Sequence, residues 1–188
     1  MTDDLIRAFV AVELPDAVRA AIGEVEGRLR QRLPRARWVR PEALHLTVKF
    51  LGEVDEACLA AFGDRSQSTV GGHGVAAVRL AGAGFFPSAS RPRVAWMGGE
   101  APDLEPVASA VDELALPCGV ERDRRRWSPH LTLARLREPW SGADAERFLE
   151  VVGALGPFDF ECRELVVFSS RLEPGGAVYT PLRRLSLE

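Results

Sequence analysis

The chain has 188 residues, with 24 basic against 27 acidic side chains and a net charge of −3. That balance argues against a protein that coats duplex nucleic acid through a broad basic face. A composition 46% hydrophobic and 27% charged is that of a soluble globular chain, long enough to bury a sizeable core as one domain or as two small packed lobes. Lys49 is the only lysine, an arginine bias that suits phosphate recognition. Cys58, Cys118 and Cys162 are dispersed and odd in number, which supports neither a disulfide framework nor a zinc ribbon. Met1-Thr2-Asp3-Asp4 lacks the basic-then-apolar pattern of a signal peptide, and no apolar run approaches the roughly 18–20 residues of a membrane span. A cytoplasmic, reducing setting is expected.

A strand-like run around Phe9-Val10-Ala11-Val12 ends at Leu14-Pro15-Asp16, where proline and aspartate suit the first turn of a helix. Val18, Ile22, Val25 and Leu29 then recur at helical spacing, predicting one apolar stripe up to about Pro34. Trp38 to Leu51 reads as β-rich, broken by Pro41. Asp55 can cap a second helix carrying Leu59 and Phe62, and Gly71-Gly72-His73-Gly74 is a loop that leaves His73 a bystander. Strands are predicted over 75–86 and 93–97, and a helix through Leu104, Val107, Val111 and Leu114 stopped by Pro117 and Gly119. A strand region over 127–136 and a helix around 143–155 follow. A closing hairpin places Leu165–Phe168 and Val178–Thr180 on either side of Pro174-Gly175-Gly176.

Two of these segments resemble each other. Arg37-Trp38, Pro41 and His45-Leu46-Thr47-Val48 match Arg126-Trp127, Pro129 and His130-Leu131-Thr132-Leu133, and the histidines stand 85 residues apart, from 45 to 130. That period, close to half the chain, points to internal duplication of one structural unit within a single bilobal domain over 1–188. Strand side chains alternate between faces, so each motif presents an imidazole and a hydroxyl on one face and apolar anchors on the other. Two such pairs facing one another across a cleft suit phosphodiester cleavage, in which a base activates the nucleophile and an acid protonates the leaving oxygen. The threonine hydroxyls can donate to phosphate oxygens and an arginine can stabilise developing charge, with no metal or cofactor required. Each motif offers only one zinc ligand.

The paired motifs resemble those of the two-histidine phosphoesterase superfamily and, within it, the RNA 2′,3′-cyclic phosphodiesterases, also called the bacterial 2′–5′ RNA ligase family. Arg7–Val12, Arg40–Leu44, Phe50–Val54, Phe86-Pro87, Arg91–Val94, Ser170–Gly176 and Tyr179–Leu182 carry the likeness over nearly the whole chain. The resemblance implies a bilobal α+β fold, two pseudo-symmetric lobes each with an antiparallel sheet flanked by helices, and a cleft between them. It implies hydrolysis of RNA 2′,3′-cyclic phosphate ends to 2′-phosphomonoesters. tRNA fragments or nucleotides are candidate substrates, and a monomer is expected because a bilobal chain with its own cleft has no need of a partner. His45 is then the proton donor, His130 the proton acceptor, Thr47 and Thr132 phosphate holders, Arg135 the phosphate-binding arginine, and Phe50 and Phe9 candidates for base stacking. Reverse 2′–5′ ligation at the same phosphate, or a non-catalytic RNA-end binding module, are the alternatives. The arginine-rich run 122–126 leads into the second motif and is a candidate contributor to the cleft.

Overall fold

The computed structural model describes residues 5–33, 36–174 and 176–188. In chain order the elements are β1 (Ile6–Glu13), α1 (Asp16–Arg32), β2 (Ala36–Trp38), a 3₁₀ turn (Pro41–Ala43), β3 (His45–Val54), α2 (Glu56–Val70), β4 (Ala76–Phe86), β5 (Val94–Glu100), α3 (Leu104–Ala115), a second 3₁₀ turn (Leu116–Cys118), β6 (His130–Leu136), α4 (Gly142–Gly153), β7 (Phe158–Cys162), β8 (Glu164–Glu173) and β9 (Gly176–Ser186). The helices start and stop for local reasons. Asp55 caps α2 by accepting from the Cys58 N–H at 2.6 Å, and Ser141 caps α4 by accepting from the Asp144 N–H. The 3₁₀ turn after α3 ends at Gly119, whose φ of 75° is the left-handed conformation glycine adopts without strain. The predicted helix limit at Pro34 lies outside the described residues. Strand β7 has no counterpart among the predicted elements, and β6 begins at His130 rather than Trp127.

The strands form one antiparallel sheet ordered β7-β4-β5-β6-β3-β1-β8-β9, with β2 added on β6. The two expected lobes are its halves. They join where β3 meets β6 at a single register pair, Leu46 opposite Leu131. The order reads the same from both ends: β6 answers β3, β5 answers β1, β4 answers β8. Each repeat runs strand, helix, strand, helix, strand, and its third long strand (β4 or β8) lies in the other repeat's half. Neither half is therefore complete without the other.

Alternation along β1 divides its side chains between two faces. Ala8, Val10 and Val12 enter the main core beneath the helices, together with Ile22, Leu29, Phe62, Leu104, Val111 and Phe148. Phe9 and Ala11 turn to the opposite face, where they pack with Val166, Phe168 and Tyr179. That second face carries the cleft.

Lys49 is 2% exposed and contacts Asp112 of α3 at 2.5 Å, Asp123 at 3.2 Å and the Glu121 carbonyl at 2.8 Å. It binds α3 and the approach to the second motif to the back of β3. Cys58 and Cys118 form a disulfide joining the first turn of α2 to the 3₁₀ turn after α3. This corrects the reading from cysteine count, because a dispersed pair becomes adjacent only when α2 packs on α3. Cys162 is free and buried, and burial pushes its thiol up to about 11. No helix among the described residues is long and apolar enough to cross a membrane.

Glu26 lies on the buried side of α1, 2% exposed, and neither carboxylate oxygen has a hydrogen-bond partner among the described residues. Burial raises its pKa from 4.5 to about 8, against a smaller lowering by Arg30. The folded chain thus keeps a proton that the unfolded chain releases, so stability falls as pH rises between about 4.5 and 8, at up to about 1.4 kcal/mol per pH unit. Glu26→Gln is expected to remove that slope, and Glu26→Leu to raise the melting temperature at pH 8. Chemical denaturation from pH 5 to 8 checks this, and an unchanged slope in Glu26→Gln would overturn it.

Candidate active site

The Leu46–Leu131 seam organises the site. Both leucines are fully buried, and antiparallel pairing across them sets His45 level with Thr132 and Thr47 level with His130. The four side chains line one cleft of about 540 Å³ together with Arg135, Phe50, Phe9, Phe86 and Tyr179. The expected histidines, threonines, arginine and phenylalanines are all brought together.

Strict alternation would place Lys49 and Ala134 beside the His/Thr pairs. Register shifts intervene in both halves, at Val10/Ala11 of β1 against β3 and at Ala95/Trp96 of β5 against β6. Each inserts one residue and reverses the alternation beyond it. Lys49 and Ala134 therefore stay buried, while Phe50 and Arg135 join the cleft face. These two also stand 85 residues apart, so equivalent positions of the repeats carry an aromatic ring in one half and a cation in the other. The cleft is symmetric in its His/Thr pairs and asymmetric in the aromatic ring and the cation beside them.

Both imidazoles are oriented alike. His45 Nδ1 lies 2.8 Å from the Ala43 carbonyl, and His130 Nδ1 lies 3.0 Å from the Ser128 carbonyl, in each case two residues upstream. A carbonyl only accepts, so Nδ1 carries the proton and Nε2 is left for chemistry. Each ring also meets an aromatic edge to face: Tyr179 on His45 at 5.0 Å and Phe86 on His130 at 5.0 Å. Phe9 lies 4.7 Å from the His45 ring. It is 3% exposed and forms the floor under the imidazole, whereas Phe50 is 58% exposed and offers an open face.

His45 is the more enclosed imidazole. Burial lowers its pKa below the usual 6.5, the positive charges of Arg135 and His130 add to the lowering, and the Ala43 carbonyl opposes it. Tyr179 is held above its ordinary value, chiefly by burial, which keeps its hydroxyl protonated.

The repeated Arg-Trp segments brace opposite motifs. β2 pairs with β6 through Ala36–Leu136, Arg37–Arg135 and Trp38–Ala134, and the Val39 N–H donates to the Leu133 carbonyl at 2.9 Å. In the other direction the Trp127 indole donates to the Thr47 carbonyl at 2.8 Å. The segment leading into each motif thus holds the motif strand of the other half. The expected contribution of the 122–126 run to the cleft is not found. Arg122 pairs with Glu113 and Arg126 with Glu105, both on α3, and none of the run lines the cleft. His73 sits exposed in its loop. Sequence reasoning does not reach Tyr179, Phe86 and Trp127 as site residues. The Phe86-Pro87 and Tyr179-Thr180 segments belong to the family likeness, but nothing in them signals that they reach the histidines.

A model of LigT-like phosphoesterases matches residues 12–96 and again 99–179. A Thermus thermophilus protein called RNA 2′,3′-cyclic phosphodiesterase is 34% identical, over 97% of this chain and 90% of its own. One of the same description from Methanothermobacter thermautotrophicus is 29% identical over 94% and 96%. Among solved structures, TT0787 of Thermus thermophilus superposes with a TM-score of 0.81 at 30% identity, covering 97% of this chain and 98% of that one. Escherichia coli LigT in complex with 3′-AMP superposes with a TM-score of 0.74 at 25% identity and the same coverage. With both halves matched and full-length relatives on this fold, the chain belongs to the LigT-like phosphoesterase family.

Proposed function

We propose that this protein hydrolyses 2′,3′-cyclic phosphate termini of RNA to 2′-phosphomonoesters by general acid–base catalysis with His45 and His130, acting as a monomer. The observation that carries the reading is the pair of imidazoles with both Nδ1 atoms engaged and both Nε2 atoms without a hydrogen-bond partner among the described residues, flanked by two hydroxyls and a guanidinium in one cleft. Relatives of nearly the same length are named for this activity, and one neighbouring structure holds 3′-AMP.

In the reaction, Nε2 of neutral His130 takes a proton from water as the water oxygen attacks phosphorus. The P–O3′ bond breaks, and protonated His45 gives its Nε2 proton to the departing 3′ oxygen. The ring opens to leave the phosphate on O2′. Thr47 and Thr132 donate to the non-bridging oxygens, Arg135 carries the charge that accumulates on them, and Phe50 offers its face to the base. Both motifs come from one chain, so the cleft is complete without a second copy.

The lowered His45 pKa has a kinetic consequence. In the free protein His45 is protonated only at lower pH, whereas a bound phosphate anion beside it raises its pKa. The limb of the kcat/KM profile set by His45 is expected below the ordinary ~6.5, and the same limb of the kcat profile at higher pH. Coincident profiles would contradict this. The function itself is tested by incubating wild type with an RNA oligonucleotide ending in a 2′,3′-cyclic phosphate, in EDTA. A 2′-phosphate product is expected, and absence of turnover or a 3′-phosphate product would overturn the reading.

A further inference from the structure

Beside the cleft lies a second cavity of about 190 Å³, and the two share Val39, Ala43, Arg135, Leu172, Ala177 and Tyr179 as a common wall. The smaller cavity adds Arg37, from β2, and Arg40, from the segment before the 3₁₀ turn. No carboxylate lines it among the described residues. Arg37 and Arg135 stand directly opposite each other on paired strands, an arrangement that costs stability for like charges unless an anion lies between or above them. Neither has a carboxylate partner among the described residues.

The pocket is held in shape from both sides. Arg40 donates to the Ala177 carbonyl of β9 at 3.2 Å, fixing the hairpin against the 3₁₀-turn segment. Gly176, whose φ of 131° is a conformation side-chain-bearing residues rarely adopt, turns the hairpin beside Arg37 and Arg40. Leu172, 70% exposed, supplies apolar surface at the rim.

We infer that Arg37 and Arg40, with Arg135 on the shared wall, form a second anion subsite that takes the phosphate on the 5′ side of the terminal nucleotide, so that the preferred substrate is an RNA end of two or more nucleotides rather than a cyclic mononucleotide. The inference rests on the proposed reaction, since it identifies the cleft as the seat of the terminal cyclic phosphate. Arg135 then borders both phosphates, and the guanidiniums of Arg37 and Arg40 match a phosphodiester by paired N–H donation.

The test compares kcat/KM for a cyclic mononucleotide, the same compound bearing a 5′-phosphate, and a dinucleotide with a 2′,3′-cyclic end. In wild type the second and third are expected to exceed the first by about tenfold or more, the scale of one charge-assisted hydrogen bond. In the Arg37→Ala/Arg40→Ala double variant that ratio is expected to fall towards one. A gain confined to the dinucleotide assigns the subsite to the internucleotide diester, and an equal gain with the 5′-phosphate assigns it to the phosphate itself. A wild-type ratio near one, or a ratio that persists in the double variant, overturns the subsite while leaving the hydrolytic function standing.

A binding arm does not depend on turnover. For a dinucleotide bearing a terminal 2′-phosphate, the slope of log Kd against log salt is expected to shrink by about 0.7 in the double variant, because one phosphate is no longer neutralised. Identical slopes would overturn the subsite even if no cyclic substrate reacted.

Discussion

His45→Ala and His130→Ala are each expected to lower the single-turnover rate on a cyclic phosphate RNA end by about 10²–10⁴, the usual contribution of one positioned proton transfer. The geometry ties the loss to the imidazoles themselves. Each ring is oriented by a carbonyl two residues upstream and its Nε2 has no partner among the described residues, so alanine would remove the proposed proton-transfer group while leaving the leucine seam intact. The motif leucines, not the histidines, are fully buried where the halves join. Thermal stability in both variants is accordingly expected to stay near that of wild type. Because both proton transfers serve one displacement, the double variant loses less than the product of the two single losses. Undiminished turnover in either single variant would remove that histidine from the mechanism.

Arg135→Ala is expected to cost about 10²–10³ in kcat, in line with the loss of one preorganised charge-stabilising donor. Arg135→Lys recovers only part of it, because an ammonium cannot reproduce paired donation from a planar guanidinium. A second readout separates charge stabilisation from a packing defect. Arg135 is among the groups that lower the His45 pKa, so its removal is expected to move the limb of kcat/KM set by His45 to higher pH. A variant that lost rate with that limb unmoved would place the arginine too far from the imidazole to share its phosphate.

Much of this site is legible in the chain because its logic is local. Histidine and threonine two residues apart share a strand face whatever the rest of the protein does, and the recurrence of that spacing with the same upstream Arg-Trp marks a duplicated unit. Local logic then stops short at residues 49 and 134. Period-two counting assigns Lys49 to the cleft and Arg135 to the core, and only the register shifts in the β1–β3 and β5–β6 pairs reverse this. Those shifts depend on partner strands distant in sequence. Phe50 and Arg135 are legible through family likeness instead.

The same distance hides the remaining parts. Tyr179 reaches His45 only because β8 and β9 lie beside β1, and Phe86 reaches His130 only because β4 has crossed to the other half. Trp127 reads as the start of a strand, yet its indole is spent on the Thr47 carbonyl of the opposite half and β6 begins three residues later. The disulfide has the same cause, since Cys58 and Cys118 are 60 residues apart in sequence and meet through helix packing. Charge counting fails at 122–126 for a related reason: the arginines answer Glu105 and Glu113 of α3 rather than the substrate side.

The division of labour between the two histidines is tested most directly with a cyclic substrate whose bridging 3′ oxygen is replaced by sulfur. A thiolate departs without needing a proton, while the attacking water still needs a base. His45→Ala is expected to recover most of its lost rate on the 3′-thio substrate, and His130→Ala to recover none. Rescue of His130→Ala in place of His45→Ala would reverse the acid and base, and rescue of neither would contradict acid–base catalysis by this pair.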